Sequence, residues 1–378
     1  MAIETGNNAR SIDDVVQFVR EHKRVRVIAS GTKSQLSSGA NLSVAAMSGI
    51  LQYDPSEYTF TALAGTKLEE VEAALTEHGQ FMPFDPPLVR AGATLGGTVA
   101  AGLSGPGRQR YGGIRDFILG VRLVTGEGQI VFGGGKVVKN AAGFDIPKLA
   151  VGSLGSIGVL VELTFKVFPR PDQFATLQVE ADSLGDALAA FKVLRQGQYD
   201  LTCLDFRPPN RIFVRIGGRP DSLDRRMDRI MADLDLAMSK RVRMVRSSAD
   251  NEAQWWSELR EFGWAASGRL VKLPLVPSQI GEVEDALASL PTNIPRHYSV
   301  GGNVVWLAWP ASLPLQKLDG VVARVGQRAL MLGHVGLADD VHLAAKRASD
   351  QTWIGKSSGA AFERALNSVF DPQRKFVY

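Results

Sequence analysis

The chain has 378 residues, 45% of them apolar and 22% charged, with 39 glycines and a net charge of +4. That length supports two domains of ordinary size, and so small a net charge gives no support to a nucleic-acid or anionic-membrane role. A single cysteine, Cys203, excludes an internal disulfide framework and an iron–sulfur cluster ligated by this chain alone.

The first eight residues lack the basic and apolar regions of a secretory leader. No apolar run approaches the roughly 18 residues that suggest a membrane span. The expectation is a soluble, cytoplasmic protein, with any contact at the inner face of the membrane made through a partner.

Ser11 to His22 reads as a helix, with Ser11 as N-cap, Asp14 three residues on, and Val15, Val16, Phe18 and Val19 as its apolar stripe. A strand over Val25–Ala29 and a Gly/Ser-rich loop over Ser30–Ser34 follow. Phe60–Leu63 is strand-like. Thr66-Lys-Leu-Glu69 is expected to form a capping box that opens a helix, with Gly79 as its stop. Three glycine-rich elements then come in order: Ala91-Gly-Ala-Thr-Leu-Gly-Gly-Thr98; Arg115-Asp-Phe-Ile-Leu-Gly120, leading into a strand over Val121–Thr125; and Asn140-Ala-Ala-Gly143 with Val151-Gly-Ser-Leu-Gly-Ser-Ile-Gly-Val159. Glycine lets backbone amides approach a ligand closely, and clustered amides suit an anion such as a pyrophosphate.

Pro169-Arg-Pro171 is the predicted linker, because two prolines break both helix and ladder. Beyond it a strand (174–180), a helix (183–196), two strands (201–206, 211–216), a helix (223–239) and a strand (241–245) follow, and a similar round runs from Gly268 to Val335. That order predicts an antiparallel sheet backed by helices. The fold class expected is therefore α+β: a domain of two small subdomains over residues 1–170, then an α+β domain with an antiparallel sheet over 171–378 with a short C-terminal return.

Two other nucleotide motifs fail on spacing. Gly135-Lys136 is followed by Val137, and Gly355-Lys-Ser357 has Asp350 where a phosphate-loop glycine belongs. Ser30-Gly-Thr-Lys-Ser34 has one glycine where a dinucleotide fingerprint after the first strand needs three.

The glycine elements resemble the FAD-binding domain of the vanillyl-alcohol oxidase superfamily, the PCMH-type FAD domain. Within it, Thr98–Pro106, Arg115–Gly120, Lys139–Asp145 and Lys166–Pro171 are most similar to the FAD-binding E subunit of the three-subunit bacterial glycolate oxidase. The resemblance is dense over 25–171 and thin beyond. It implies that Ser30, Gly31, Thr32, Lys33 and Ser34 wrap the FAD pyrophosphate. It also implies that Ala93, Thr94, Gly96, Gly97 and Ala100 lie along the ribityl chain and isoalloxazine. Gly155, Gly158 and Val159 would approach the adenine half or the ring edge, and Asp85 matches a position near the flavin. None of the five histidines lies in a flavin element and Cys203 is far from them, so FAD is expected to be non-covalent.

Relatives that oxidise 2-hydroxy acids often hold a metal on a His-x-x-x-x-x-x-His pair with a downstream acid. His334 and His342 are eight apart, so no metal is expected here. His334 in Gly333-His-Val-Gly336 is a candidate acid/base residue or a structural histidine. Arg269 and Lys272 are candidates for gripping a substrate carboxylate or for a cap-strand salt bridge. Family members usually finish with Phe-Asp-Pro-x-Gly and Asn-Pro-Gly-Arg, whereas Phe370-Asp-Pro372 is followed here by Gln-Arg-Lys-Phe-Val-Tyr378. The expectation is a flavin edge that is more open or is covered by another subunit.

The resemblance implies an FAD-binding subunit of a glycolate (2-hydroxy acid) dehydrogenase, partnered by a second flavin subunit and an iron–sulfur subunit. A self-sufficient oxidase of a small alcohol or hydroxy acid, and a scaffold that keeps the fold without the chemistry, stand as alternatives.

Overall fold

The computed structural model describes residues 7–33, 42–135, 145–247, 249–266, 268–335, 352–357 and 359–376. The chain starts with a small parallel sheet, β1 (Asn7–Asn8), β2 (Val27–Ile28) and β3 (Leu42–Ser43), in the order β1-β3-β2. The helix Ile12–Glu21 joins β1 to β2. Its first turn closes as the sequence predicts, with Ser11 Oγ accepting from Asp14 N at 3.1 Å and Asp14 Oδ2 accepting from Ser11 N at 3.0 Å. Val15, Phe18 and Val19 are buried against Val25, Leu42 and Met47. The strand expected over Val25–Ala29 shrinks to two residues. Val25 instead pairs with Phe376 in a parallel bridge.

A five-stranded antiparallel sheet follows: β4 (Ile50–Asp54), β5 (Thr59–Leu63), β7 (Ile118–Val124), β8 (Ile130–Gly134) and β9 (Val159–Lys166), ordered β4-β5-β9-β7-β8. The expected capping box at Thr66 does not form. The helix runs Leu68–Thr76 from Lys67 without a side-chain cap, because the Thr66 hydroxyl donates to Leu63 O at 2.7 Å and accepts from Gly49 N at 2.9 Å. The linker prolines are also partly engaged, since β10 (Phe168–Pro169) pairs with β6 (Gln80–Phe81).

The remaining strands form one nine-stranded antiparallel sheet. They are β11 (Gln173–Ala181), β12 (Cys203–Arg207), β13 (Arg211–Gly218), β14 (Val242–Arg246), β15 (Arg269–Pro274), β16 (Arg296–Ser299), β17 (Val304–Trp309), β18 (Ala329–Gly333) and β19 (Trp353–Ile354). Their order is β14-β11-β13-β12-β16-β17-β15-β18-β19. Alternation along β15 and β17 sorts the two faces. Val271, Leu273, Val305 and Leu307 bury against the helices Leu184–Gln196, Pro220–Met238, Ile280–Ala288 and Leu315–Val325. Leu270, Val304, Trp306 and Ala308 bury on the other side, in one core with Leu95, Val99, Leu103 and Phe117. Each such side chain contributes on the order of 1.5–3 kcal/mol, so the large sheet and the glycine-rich elements hold each other in place.

Residues after Phe370 return to the small parallel sheet. Asp371 accepts from Lys375 N and Phe376 N at 2.9 and 2.8 Å, and the Lys375 ammonium donates to Val19 O at 2.8 Å.

Candidate functional site

A cleft of about 480 Å³ lies where β2 and its loop face the helix Leu95–Ala101. Residues 27–33 form one wall, and Thr94, Gly97, Ala100, Ala101 and Leu154 form the other. Gly31 turns the loop with φ +70°, a conformation that other residues adopt only at a cost. Thr94 caps the helix, its Oγ1 accepting from Gly97 N at 3.3 Å. A Cβ on Gly97 would stand 3.1 Å from that hydroxyl and 3.9 Å from Lys33 Nζ, so the missing side chain leaves open space in the cleft.

Lys33 is the charged side chain of this wall. It is buried, its ammonium donates to Thr32 Oγ1 at 2.9 Å, and burial pulls its pKa down to about 8. Its backbone pairs antiparallel with Val335. A buried ammonium beside a hydroxyl and an open backbone is suited to holding a phosphate through charge-assisted hydrogen bonds.

The other glycine-element residues do different jobs. Gly96 faces away from the cleft, where a Cβ would stand 2.7 Å from Ala64 Cβ and 2.8 Å from its carbonyl oxygen. Ala93 is buried, accepting from Leu68 N and donating to Leu88 O. Leu154 N donates to Ala100 O at 2.9 Å, which docks the loop holding Gly155 (φ +86°) on the end of the helix Leu95–Ala101. Gly158 permits β9 to approach β7, since its Cβ would fall 2.6 Å from Val124 O, and Val159 packs in the N-terminal core. Ser34 and the Asn140–Gly143 element lie outside the described residues.

Arg269 and His334 come together by register. Leu270 of β15 pairs with Gly333 of β18, so the residues just before and just after them sit at one end of these strands, next to the Lys33–Val335 bridge. Burial lowers the pKa of Arg269. Lys272, three residues along, is half-buried; its ammonium donates to Gly102 O at 2.9 Å and lies 5.9 Å from the Trp306 ring centre. Burial first, and Arg108 second, pull its pKa down to about 8. His342 lies outside the described residues.

Asp85 lies in a different cavity. Its backbone is left-handed at φ +56°, its Oδ1 pairs with Arg260 at 3.0 Å, and its Oδ2 is buried with no hydrogen-bond partner among the described residues. Arg260 also pairs with Glu72 at 3.0 Å.

Sequence reasoning missed a buried pair at the seam of the two halves. His297 Nε2 lies 2.7 Å from Asp205 Oδ2, and Ser299 Oγ donates to Asp205 Oδ1 at 2.9 Å. His297 and Trp264, whose Nδ1 and Nε1 atoms are buried with no hydrogen-bond partner among the described residues, line one small cavity with Arg260 and Trp306. The available signal was an aspartate inside the apolar strand Cys203–Arg207. Cys203 itself is fully buried and burial pushes its thiol well up, which makes it inert.

A family model described as an FAD binding domain matches residues 5–134. Glycolate oxidase subunit GlcE of Escherichia coli (strain K12) is 35% identical over 253 residues, covering 66% of this chain and 67% of that one. Glycolate oxidase subunit GlcD of Bacillus subtilis (strain 168) is 29% identical over 203 residues, half of this chain and 43% of the relative. A solved structure of alkyldihydroxyacetonephosphate synthase matches 97% of this chain and 74% of its own, with a TM-score of 0.68 at 15% identity. At that identity the match shows the fold. The chain spans about two thirds of the first relative and less than half of the second.

Proposed function

This chain belongs to the PCMH-type FAD-binding family of flavin-dependent oxidoreductases, and from that premise we propose that it is the FAD-carrying subunit of a multi-subunit oxidase or dehydrogenase of small 2-hydroxy acids. The observation that carries the reading is the 35% identity to a glycolate oxidase subunit over two thirds of both chains. The proposed division is a flavin domain over residues 1–170 and a cap domain over 171–378 with its C-terminal return.

The residues of the first cleft fit FAD. Gly31 and the neighbouring amides, Thr32 and Lys33 would hold the pyrophosphate, and the bare Cα of Gly97 with the small Ala100 leaves room for the ribityl chain. Bound FAD supplies a two-electron acceptor. FAD in this reading is non-covalent and is released by acid or heat.

Oxidising a 2-hydroxy acid also needs its α-carbon held against the flavin and a base within hydrogen-bond reach of the hydroxyl. Arg269 and His334 are the candidates, and among the described residues no cluster of histidine, cysteine and carboxylate side chains is placed to hold a metal. The 2-hydroxy acid is accordingly oxidised mainly in a companion flavin subunit, and an iron–sulfur subunit accepts the electrons. This chain's FAD acts as relay or support. Among the described residues no helix is long and apolar enough to cross a membrane.

The test begins with the FAD-loaded chain alone, mixed with glycolate or D-lactate and a dye acceptor. The expected result is no rapid bleaching, with dye reduction appearing when the companion subunits are co-expressed. Bleaching alone at an ordinary enzymatic rate of order 1–10³ per second would favour a self-sufficient oxidase.

A further inference from the structure

The helix Ala360–Phe370 carries its apolar stripe on the outside. Phe362, Ala365, Leu366 and Val369 follow the i, i+3, i+4, i+7 spacing of one helix face. Phe362 is 62% exposed and Val369 73%, Ala365 is exposed, and Leu366 is half-buried. Among the described residues only Leu236 is a more exposed large apolar side chain. The helix Leu315–Val325, of the same length, buries Leu318, Val321, Val322 and Val325, whereas Ala360–Phe370 buries Phe370 alone.

The helix is pinned in this orientation at both ends. Arg328 donates to Glu363 Oε1 at 2.8 Å, while its guanidinium stacks 3.9 Å from the Trp353 ring centre. Phe370 packs in the core shared by the glycine-rich elements and the large sheet, and its carbonyl accepts from Gly126 N at 2.9 Å. Turning the stripe inward would break both anchors. Contiguous apolar surface held outward on a fixed helix marks an interaction site.

A groove runs beside the stripe. Phe362 and Leu366 line it with Trp353, Val151 and Leu154. Leu154 also lines the first cleft, so an occupant of the groove touches the loop that walls the site proposed for FAD. The charges around it are uneven. Glu363 is the one carboxylate among the residues lining the groove, and Arg328 neutralises it. Lys148 is paired with Asp145. Arg115 in the groove and Arg364 on the helix are exposed, and their guanidinium groups make neither ion pair nor hydrogen bond among the described residues.

These features select the occupant. Two copies of this chain joined stripe to stripe would bring the free arginines together, and like charges across an interface are costly. A flat lipid surface would cover the stripe and leave the groove empty. A protein surface with an apolar ridge flanked by carboxylates fills the groove, covers the stripe and meets both arginines. We propose that the stripe and its groove are the docking site for a companion subunit of that chemistry, seated beside the first cleft where it can exchange electrons with the flavin. The proposal rests on the reading of this chain as an FAD-carrying subunit and adds which of its surfaces the companion covers.

The experiment co-expresses the full chain with the companion subunits and compares it with Phe362→Gln/Val369→Gln, which keeps good helix formers and removes the stripe. Co-elution on size exclusion, FAD content and thermal midpoint are read on the same preparations. The isolated variant should keep the parent's FAD content and midpoint, and its affinity for the companions should fall about tenfold or more. Arg364→Glu should also weaken assembly, and added salt should weaken the parent's assembly more than that variant's. Assembly of the double variant as tight as the parent's would overturn this proposal alone. Failure of the parent itself to assemble would overturn the subunit reading and this proposal with it. A dimeric isolated parent with a monomeric double variant would assign the stripe to a second copy. Sedimentation with phosphatidylglycerol vesicles that the double variant loses would assign it to a membrane. Either of these results overturns the docking site.

Discussion

The Lys272 ammonium donates to the carbonyl of Gly102 at 2.9 Å, tying the large antiparallel sheet to the end of the helix Leu95–Ala101. The tie places a cation in a buried seam, and its pKa falls to about 8 from 10.5. The unfolded chain therefore binds more protons than the native one between about pH 8 and 10.5, and stability rises with pH through that window. Below pH 8 the buried charge costs on the order of 3 kcal/mol, against about 1 kcal/mol from its hydrogen bond.

Lys272→Met should accordingly be more stable than the parent by about 2 kcal/mol at pH 7. The advantage should shrink as pH rises from about 8 to 10.5, as followed by urea unfolding. An advantage independent of pH would show that packing, not charge, sets the effect.

Lys33 has the same depressed pKa and lines the cleft proposed for FAD. A bound pyrophosphate favours the ammonium, so FAD binding should take up a proton above pH 8 and weaken as pH rises further. Fluorescence titration of FAD into the stripped chain should show affinity falling by up to about tenfold per pH unit above pH 8. Lys33→Gln should bind more weakly and lose that slope.

Adjacent glycines should fail in different ways. Gly97→Leu fills the open side of the helix and should give folded, colourless protein. Gly96→Ala meets Ala64 at 2.7 Å and should cost about 1–3 kcal/mol of stability, with FAD lost only as the fold is lost. Absorbance at the flavin band, read beside a thermal melt, separates the two.

Arg260 neutralises two carboxylates at the seam. Arg260→Leu removes the cation that both Glu72 and Asp85 are paired with and should destabilise the chain by about 3–5 kcal/mol. A loss below about 1 kcal/mol would mean that water screens the pair.

What the sequence made legible was local. Ser11 and Asp14 cap a helix because both partners lie within one turn. Gly31 and Gly97 stood out as small residues clustered between strand and helix, and both line one cleft. The failures came from distance along the chain. Thr66 carries a capping pattern, yet its hydroxyl is taken by Gly49, seventeen positions away. The joining of two strand rounds into one nine-stranded sheet rests on a single ladder pair, Phe206 with Tyr298, which no local pattern announces. The Asp205–His297 pair spans 92 positions. Gly158 and Val159 sit in a glycine-rich run like that of the cleft but pack β9 on β7, because a bare Cα serves a strand crossing as well as a ligand.

The return of residues 370–376 to the first sheet has a consequence for how the chain is made. Val25 finds its ladder partner in Phe376, Gly126 N donates to Phe370 O, and Phe376 fills the core beside Val15 and Val19. During synthesis, the inner layer of the first sheet stays open until a segment 356 positions further along the chain has been made. A ribosome-released fragment ending at Pro171 should therefore be protease-sensitive, and adding the 359–376 segment in trans should restore part of its resistance.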